Sequence, residues 1–233
     1  MVPPEPPTPR SARAFVSYST ADKLVAASVR DFLESYGIQC FVAHDDLQVS
    51  EEWKEVILEE LLKCDIFVPI LSASFRASDW CAQEVGVISG RRGVAIVPLS
   101  VDGTTPFGFI SNIQGKPIPG SGPTADLVIV PLLRRFPRLL FPGLIEKVRT
   151  ASSFREAEAA LLPLVPHFGV LTDAELVSLV EACISNGQVW SATRCRATYL
   201  PKLIAAARSR VVPERLEVLE YQVANDAWFP RGQ

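Results

Sequence analysis

Histidine is scarce in this chain, with two in 233 residues, and the five cysteines form no C-x-x-C pair. That leaves little material for a Cys/His metal site, and none is expected. Cys40, Cys64, Cys81, Cys183 and Cys195 are odd in number and widely spaced, which fits free thiols in a reducing, cytoplasmic setting. No apolar run reaches membrane-spanning length. The greasiest stretch, Leu127 to Leu144, is broken by Pro131, Arg134, Arg135, Pro137, Arg138 and Pro142. Met1 to Arg10 is proline-rich and has no hydrophobic run, so it reads as a stiff, solvated tail rather than a signal peptide or anchor. Excess positive charge is also missing. The formal net charge is −3, which argues against a protein whose main work is gripping phosphate backbones, and nucleic acid is not indicated. Finally, no glycine stands between Phe15 and Thr20, where a dinucleotide-binding dehydrogenase would need a glycine-rich turn.

What is present is material for a core. Hydrophobic residues make up 48% of the chain and charged residues 21%, the balance of a folded protein. Ala14 to Tyr18 forms a short strand pattern. Thr20 offers a helix cap, and Val25, Val29, Phe32, Leu33 and Tyr36 follow at helical spacing until Gly37. Ile38 to Ala43 is a second strand and His44 to Ser50 a polar loop. A helix with a buried stripe of Trp53, Val56, Ile57 and Leu61 comes next. Asp65 to Leu71 and Val94 to Leu99 are nearly continuous apolar runs, as in strands buried on both faces of a parallel sheet. Strand–helix alternation at this spacing predicts an α/β fold with a parallel sheet and crossover helices.

Ser100 to Pro123 carries five Gly and four Pro and reads as a long loop, with the apolar island Pro106 to Ile110 packing back on the sheet. Beyond Thr124 only helices are predicted: Ala125–Arg135, Leu139–Thr150, Ser153–Val165, one opened by the capping box Thr172-Asp173-Ala174-Glu175, and a last pair over Arg194–Arg210 and Pro213–Ala227.

Candidate site residues are sought just past the end of each strand, because ligands in parallel α/β sheets bind beyond the carboxyl ends of the strands. Tyr18 and Ser19 stand at the end of the first strand. Phe41, His44, Asp45 and Asp46 end or succeed the second. The loop after the third leads to Ser78-Asp79-Trp80-Cys81-Ala82-Gln83-Glu84, where Ser78 or Asp79 can cap a helix. Trp80 and Glu84, four residues apart, share one face of that helix. An indole beside a carboxylate suits a flat cationic ring. The competing readings are structural: Glu84 as a solvated side chain, Trp80 as a helix anchor, Phe41 and Tyr18 as core, His44 as a plain loop histidine, Asp45 and Asp46 as turn formers. Cys81 has no basic partner in sequence and does not read as a nucleophile.

Arg13-Ala14-Phe15-Val16-Ser17-Tyr18 resembles the first box of Toll/interleukin receptor (TIR) domains. Gly37 to Phe41 with Asp45-Asp46-Leu47 resembles the second strand and the BB loop after it, and Ser78 to Glu84 resembles the box holding the acidic residue of the NAD-cleaving members. Gly108-Phe109-Ile110 is similar to bacterial TIR proteins. The resemblance covers about Arg10 to Gly120. It implies a flavodoxin-like parallel sheet with flanking helices, the TIR fold, over residues 11–123 and extending up to about 150. A smaller all-helical region, 151–233, comes after it, and residues 1–10 stand as a disordered tail.

The resemblance further implies a bacterial NAD+ nucleosidase or cyclase in antiphage-type immunity, with NAD+ as substrate rather than cofactor and no metal. Glu84 would be catalytic, and Tyr18, Ser19, Phe41, Asp45 and Trp80 would bind NAD+. A homo-oligomer through the TIR domain and a protein partner for the C-terminal helices are expected, without a membrane. One departure stands out: Asp46 to Ser50 lacks the Pro-Gly pair of many BB loops, which weakens any carry-over of adaptor behaviour. A non-enzymatic TIR adaptor is the alternative. A deoxyribosyltransferase-like enzyme lacks a second acidic partner here.

Overall fold

The computed structural model describes residues 11–42 and 51–230. The chain divides into two compact units, Ser11–Phe136 and a second formed chiefly by Pro137–Gln233.

In the first unit, β1 (Arg13–Ser17), β2 (Gln39–Val42), β3 (Ile66–Leu71), β4 (Ala95–Ile96), β5 (Leu99–Ser100) and β6 (Lys116–Pro117) form one sheet. The order is β2-β1-β3-β5-β6, with β4 also on β3, and every pairing is parallel. With β4 and β5 taken as two pieces of one strand, this is the flavodoxin-like order, whose switch point falls between β1 and β3. The intervening helices are α1 (Lys23–Glu34), α2 (Glu51–Lys63), α3 (Ala73–Ala77) and α4 (Asp79–Ser89). A short helix, α5 (Ile129–Arg135), closes the unit.

The apolar runs do what their composition dictates. β3 is buried along its whole length. Phe15, Phe67, Leu71, Phe75, Cys81, Val85, Ile88 and Ile110 form one core cluster, with Phe41, Ile57 and Phe107 packed against it. Phe15 lies between Phe41 and Phe67, at ring separations of 5.3 and 6.0 Å.

Local expectations and structure differ at the expected loop after β3, which contains α3, and elsewhere in the first unit. First, Thr20 does not cap α1. Ser19 precedes a 3-10 turn over Thr20–Asp22, and the carboxylate of Asp22 is engaged by Ser72 (2.6 Å) instead of by α1's own amides. Second, the expected strand over Val94–Leu99 is split. The register that sets Ile70 beside Leu99 and Phe67 beside Ile96 places Pro69 opposite Pro98. Neither has an N–H, so the ladder lapses there. Third, the expected loop over Ser100–Pro123 contains β6, held by Lys116 N–H to Pro98 O (3.0 Å) and Ile118 N–H to Ser100 O (2.8 Å). Within the apolar island, Ile110 is buried and Phe107 meets Phe75, but Phe109 is 80% exposed. Fourth, α2 buries Leu61 fully and Trp53 and Ile57 in part, while Val56 is exposed.

Gly37 ends the first helix as expected. Its φ of 72° is a conformation that a side chain would strain. Gly115 has a different duty: a Cβ there would sit 2.9 Å from Pro106 Cδ.

The C-terminal end of α2 is fastened twice. Nη2 of Arg13 donates to both carboxylate oxygens of Glu60 (3.0 and 2.8 Å), tying β1 to α2. Arg91 donates to the carbonyls of Leu61 and Cys64, the latter at 2.9 Å. A cation at these orphan carbonyls is favourable on both hydrogen-bonding and dipole grounds.

The second unit is helical: α6 (Pro137–Thr150), α7 (Phe154–Leu161), α8 (Asp173–Ser185), α9 (Gly187–Ser191), α10 (Leu200–Ala207) and α11 (Pro213–Asn225), with a 3-10 stretch over Leu162–Val170 and a π turn over Cys195–Tyr199. Its core draws on Leu140, Phe141, Leu144 and Val148 of α6, Leu176, Leu179 and Val180 of α8, and Leu200, Leu203 and Leu219. The Thr172–Glu175 capping box forms as the sequence predicts. Asn186 is the joint of this unit. Its buried Nδ2 donates to the carbonyls of Val148 (2.9 Å), Arg149 (3.2 Å) and Ala151 (3.0 Å), and its Oδ1 accepts from Gln188 N–H (3.0 Å). One side chain thus closes α6 and opens α9.

Candidate active site

Ser17 is the last residue of β1, fully buried and in register with Pro69 of β3. Its Oγ–H donates to Oε2 of Glu84. Glu84 is held in place by α4, whose start is fixed by Ser78: the side chain accepts from Cys81 N–H at 3.3 Å. Asp79 in the first turn suits the helix dipole. Cys81, Val85 and Ile88 anchor the helix in the core, which forces Glu84 to lie along the sheet with them. Glu84 is 5% exposed. Burying a carboxylate is costly unless hydrogen bonds compensate, and Ser17 supplies one.

Glu84 lines a groove of about 360 Å³ between α2 and α4. Trp80, Gln83 and Val87 share its α4 wall, and Lys54, Ile57, Leu58 and Leu61 form the α2 wall. The i, i+4 spacing of Trp80 and Glu84 does place them on one lining face. Trp80 is half-buried, so part of the indole remains open to a ligand. The groove thus offers a carboxylate, an aromatic face and apolar walls, with Lys54 and Gln83 exposed on it.

The other candidates fall elsewhere. Tyr18 is 3% exposed and does not line this groove. Ser19 is half-buried, and its carbonyl accepts from Asp22 N–H at 2.7 Å. Phe41 packs on Phe15 and lines a separate concavity with Arg13, Gln39, Cys40 and Glu60. Asp45 lies outside the described residues, as do His44 and Asp46.

Two features of the site escape sequence reading. Strand-end logic selects Tyr18 and Ser19 and stops one residue short of Ser17. The signal that finds Ser17 is a hydroxyl inside an otherwise apolar buried strand, which must have a partner. The α2 wall escapes too, because Lys54 and Leu58 look like ordinary helix-surface residues.

Carboxylate and hydroxyl contacts organise the nearby strand ends. Ser72, besides its bond to Asp22, caps α3 by accepting from Phe75 N–H at 3.0 Å. Asp102 accepts from the amides of Ala73 and Thr104, both at 2.9 Å. Those bonds, with the Thr104 side chain foremost, hold its carboxyl down at about 2.

A parallel sheet in this order with flanking helices defines an α/β protein of flavodoxin-like topology. Residues 14–120 match the model of the TIR domain family, and the chain carries a TIR domain followed by a helical C-terminal region. Comparison with curated proteins and with solved structures gave no match. Among the described residues no helix is long and apolar enough to cross a membrane.

Proposed function

We propose that the TIR domain cleaves the nicotinamide–ribose bond of NAD+. The observation that carries this reading is the burial of Glu84 beside the half-open indole of Trp80. A carboxylate kept out of water in a ligand-sized groove is a stability cost that a purely structural helix does not require.

The chemistry suits these residues. Nicotinamide departs from a cationic pyridinium: the C1′–N bond breaks, its electron pair goes to the ring nitrogen, and neutral nicotinamide leaves without needing a proton. A water oxygen then bonds to C1′ and releases its proton, giving ADP-ribose. In a cyclase, a nucleophile from the same molecule takes the place of water. The second carboxylate of ordinary glycosidases is therefore dispensable. Glu84 holds the ribose hydroxyls and stabilises the oxocarbenium-like transition state. Trp80 provides a face for the cationic ring.

A groove of about 360 Å³ sits near the small end of ligand sites, roughly 300–1,000 Å³. In this reading the groove would take the nicotinamide riboside end and leave the rest of the dinucleotide outside, where Lys54 would meet phosphate. The reaction would deplete NAD+, or its product would act as a signal, in keeping with a bacterial immune role. A homo-oligomer completes this reading.

The test is NAD+ turnover by concentrated full-length chain, with product analysis, against Glu84→Gln. The expected result is conversion by the wild type and a loss of at least ~100-fold in the variant, the scale of removing one transition-state electrostatic contact. Intact NAD+ with the wild type would remove the reading. A second reading, a docking module without chemistry, is favoured by one observation: Val56, Leu58 and Leu62 of α2 are apolar and exposed. It predicts self-association that is indifferent to Glu84→Gln, with no turnover at all.

A further inference from the structure

We propose that Ser17 is a positioning residue that holds Glu84 in one orientation for catalysis. The inference rests on the NAD+-cleaving reading above and assigns a further residue to it.

Four observations support it. Ser17 closes β1 at the switch point, in register with Pro69 of β3 and one residue beyond the last pair that β1 makes with β2, Val16 with Val42. The hydroxyl is fully buried, so it has no access to bulk water as a competing partner. Its oxygen lies within hydrogen-bonding reach of Oε2 of Glu84, across 67 residues of chain. Glu84 sits on a different element, among Cys81, Val85 and Ile88, where burial disfavours the charged form.

A hydroxyl can both donate and accept, but an ionised carboxylate only accepts. The Ser17 hydroxyl can therefore serve as a donor to the carboxylate form of Glu84, the form that stabilises an oxocarbenium-like charge. It also restrains a side chain with three rotatable bonds against a rigid strand. A strand-end hydroxyl is a better reference point for that purpose than a loop residue, because the strand that carries it is paired on both sides up to Val16. Ser17 does not touch the reacting atoms in this scheme; it acts through Glu84.

The experiment compares full-length wild type with Ser17→Ala, Ser17→Cys and Ser17→Thr. It measures kcat and KM for NAD+ across pH, together with the thermal unfolding midpoint of each. The expected result for Ser17→Ala is a kcat lower by roughly 10- to 100-fold, the worth of one hydrogen bond to a charged group. KM should change little. The acid limb of the pH–rate profile should move to higher pH, since a carboxylate deprived of this donor ionises less readily. Ser17→Thr, which keeps the hydroxyl, should restore the limb, and Ser17→Cys, a weaker donor, should fall between. The order of the acid limbs among the Thr and Cys variants serves if the Ala variant does not fold.

An unmoved acid limb, or a loss of kcat that only tracks loss of folded protein, overturns the positioning role. A wild type that cleaves NAD+, a dead Glu84→Gln and an unimpaired Ser17→Ala would sink this inference alone. A wild type without turnover removes it together with the reading on which it rests.

Discussion

Glu84 and Ser17 make a pair whose two members differ in how visible they are in the chain. Trp80, Glu84 and the Ser78 cap are legible because their relations are local: a cap three residues from its amide, and two side chains one turn apart. Ser17 is not, because its partner lies 67 residues away and only the sheet brings them together. For the same reason Tyr18 and Phe41, which the strand pattern leaves open between core and pocket, are found respectively buried and packed on Phe15. The burial of Glu84 makes a prediction about stability. If the carboxylate is retained for chemistry, Glu84→Gln should unfold at the same temperature as the wild type or higher, since it removes a charge from a dry site while keeping an acceptor for Ser17. Calorimetry of the two proteins checks this, and a marked fall would mean that the charge is structural.

The thiols make another residue-scale prediction. Burial pushes Cys40 up to about 12, Cys64 up to about 11 and Cys195 up to about 12, and raises Cys183 as well. Thiolate is therefore scarce at neutral pH, and labelling by a thiol reagent should be slow until the protein is unfolded. The folded state keeps its thiol protons where the unfolded chain, near 9, has begun to lose them. Stability is thus lost as pH rises from about 9 towards 12. A falling unfolding midpoint over that range is the expected measurement.

Among the elements, the strands show most clearly where a hydrophobic pattern stops being informative. The run Val94–Leu99 is apolar enough to predict one strand, and Pro98 alone would suggest only a weak edge. Its effect depends on Pro69 standing opposite, a coincidence of register that no single segment displays. β6 is hidden for a similar reason: two residues, one of them proline, carry no periodicity, and only the bonds around them to Pro98 and Ser100 reveal a strand. Caps are more readable, as the Thr172–Glu175 box shows. Asn186 is not legible as a three-carbonyl donor, because its partners lie 35 to 38 residues away. Asn186→Ala removes the α9 cap and leaves buried carbonyls at the end of α6 unmet. The expected loss is about 2–4 kcal/mol, seen as a lower denaturant midpoint.

At the scale of the whole chain, the parallel sheet and the change to an all-helical second half are legible, because strand–helix alternation and its cessation are long-range regularities of composition. The turn from one compact unit to the next at Phe136–Pro137 is less so, since helical pattern runs across it. The exposed apolar side chains of α2 lead to a prediction about assembly. If copies associate to complete the site, NAD+ turnover per molecule should rise with protein concentration and then level off. Progress curves over a dilution series measure this, and a flat dependence would favour a self-sufficient monomer.

The double fastening of α2 by Arg13 and Arg91 has one further consequence. It makes the helix a lever with its fulcrum near Cys64. Lys54 lies about nine residues from that end, or roughly 13 Å at helical rise. A swing of about 10° would carry Lys54 through about 2 Å while scarcely moving Leu61. Width at the Lys54 end of the groove is then cheap to change, and width at Leu61 is not. Discrimination between ligands should accordingly be strict at the deep end and tolerant at the shallow one.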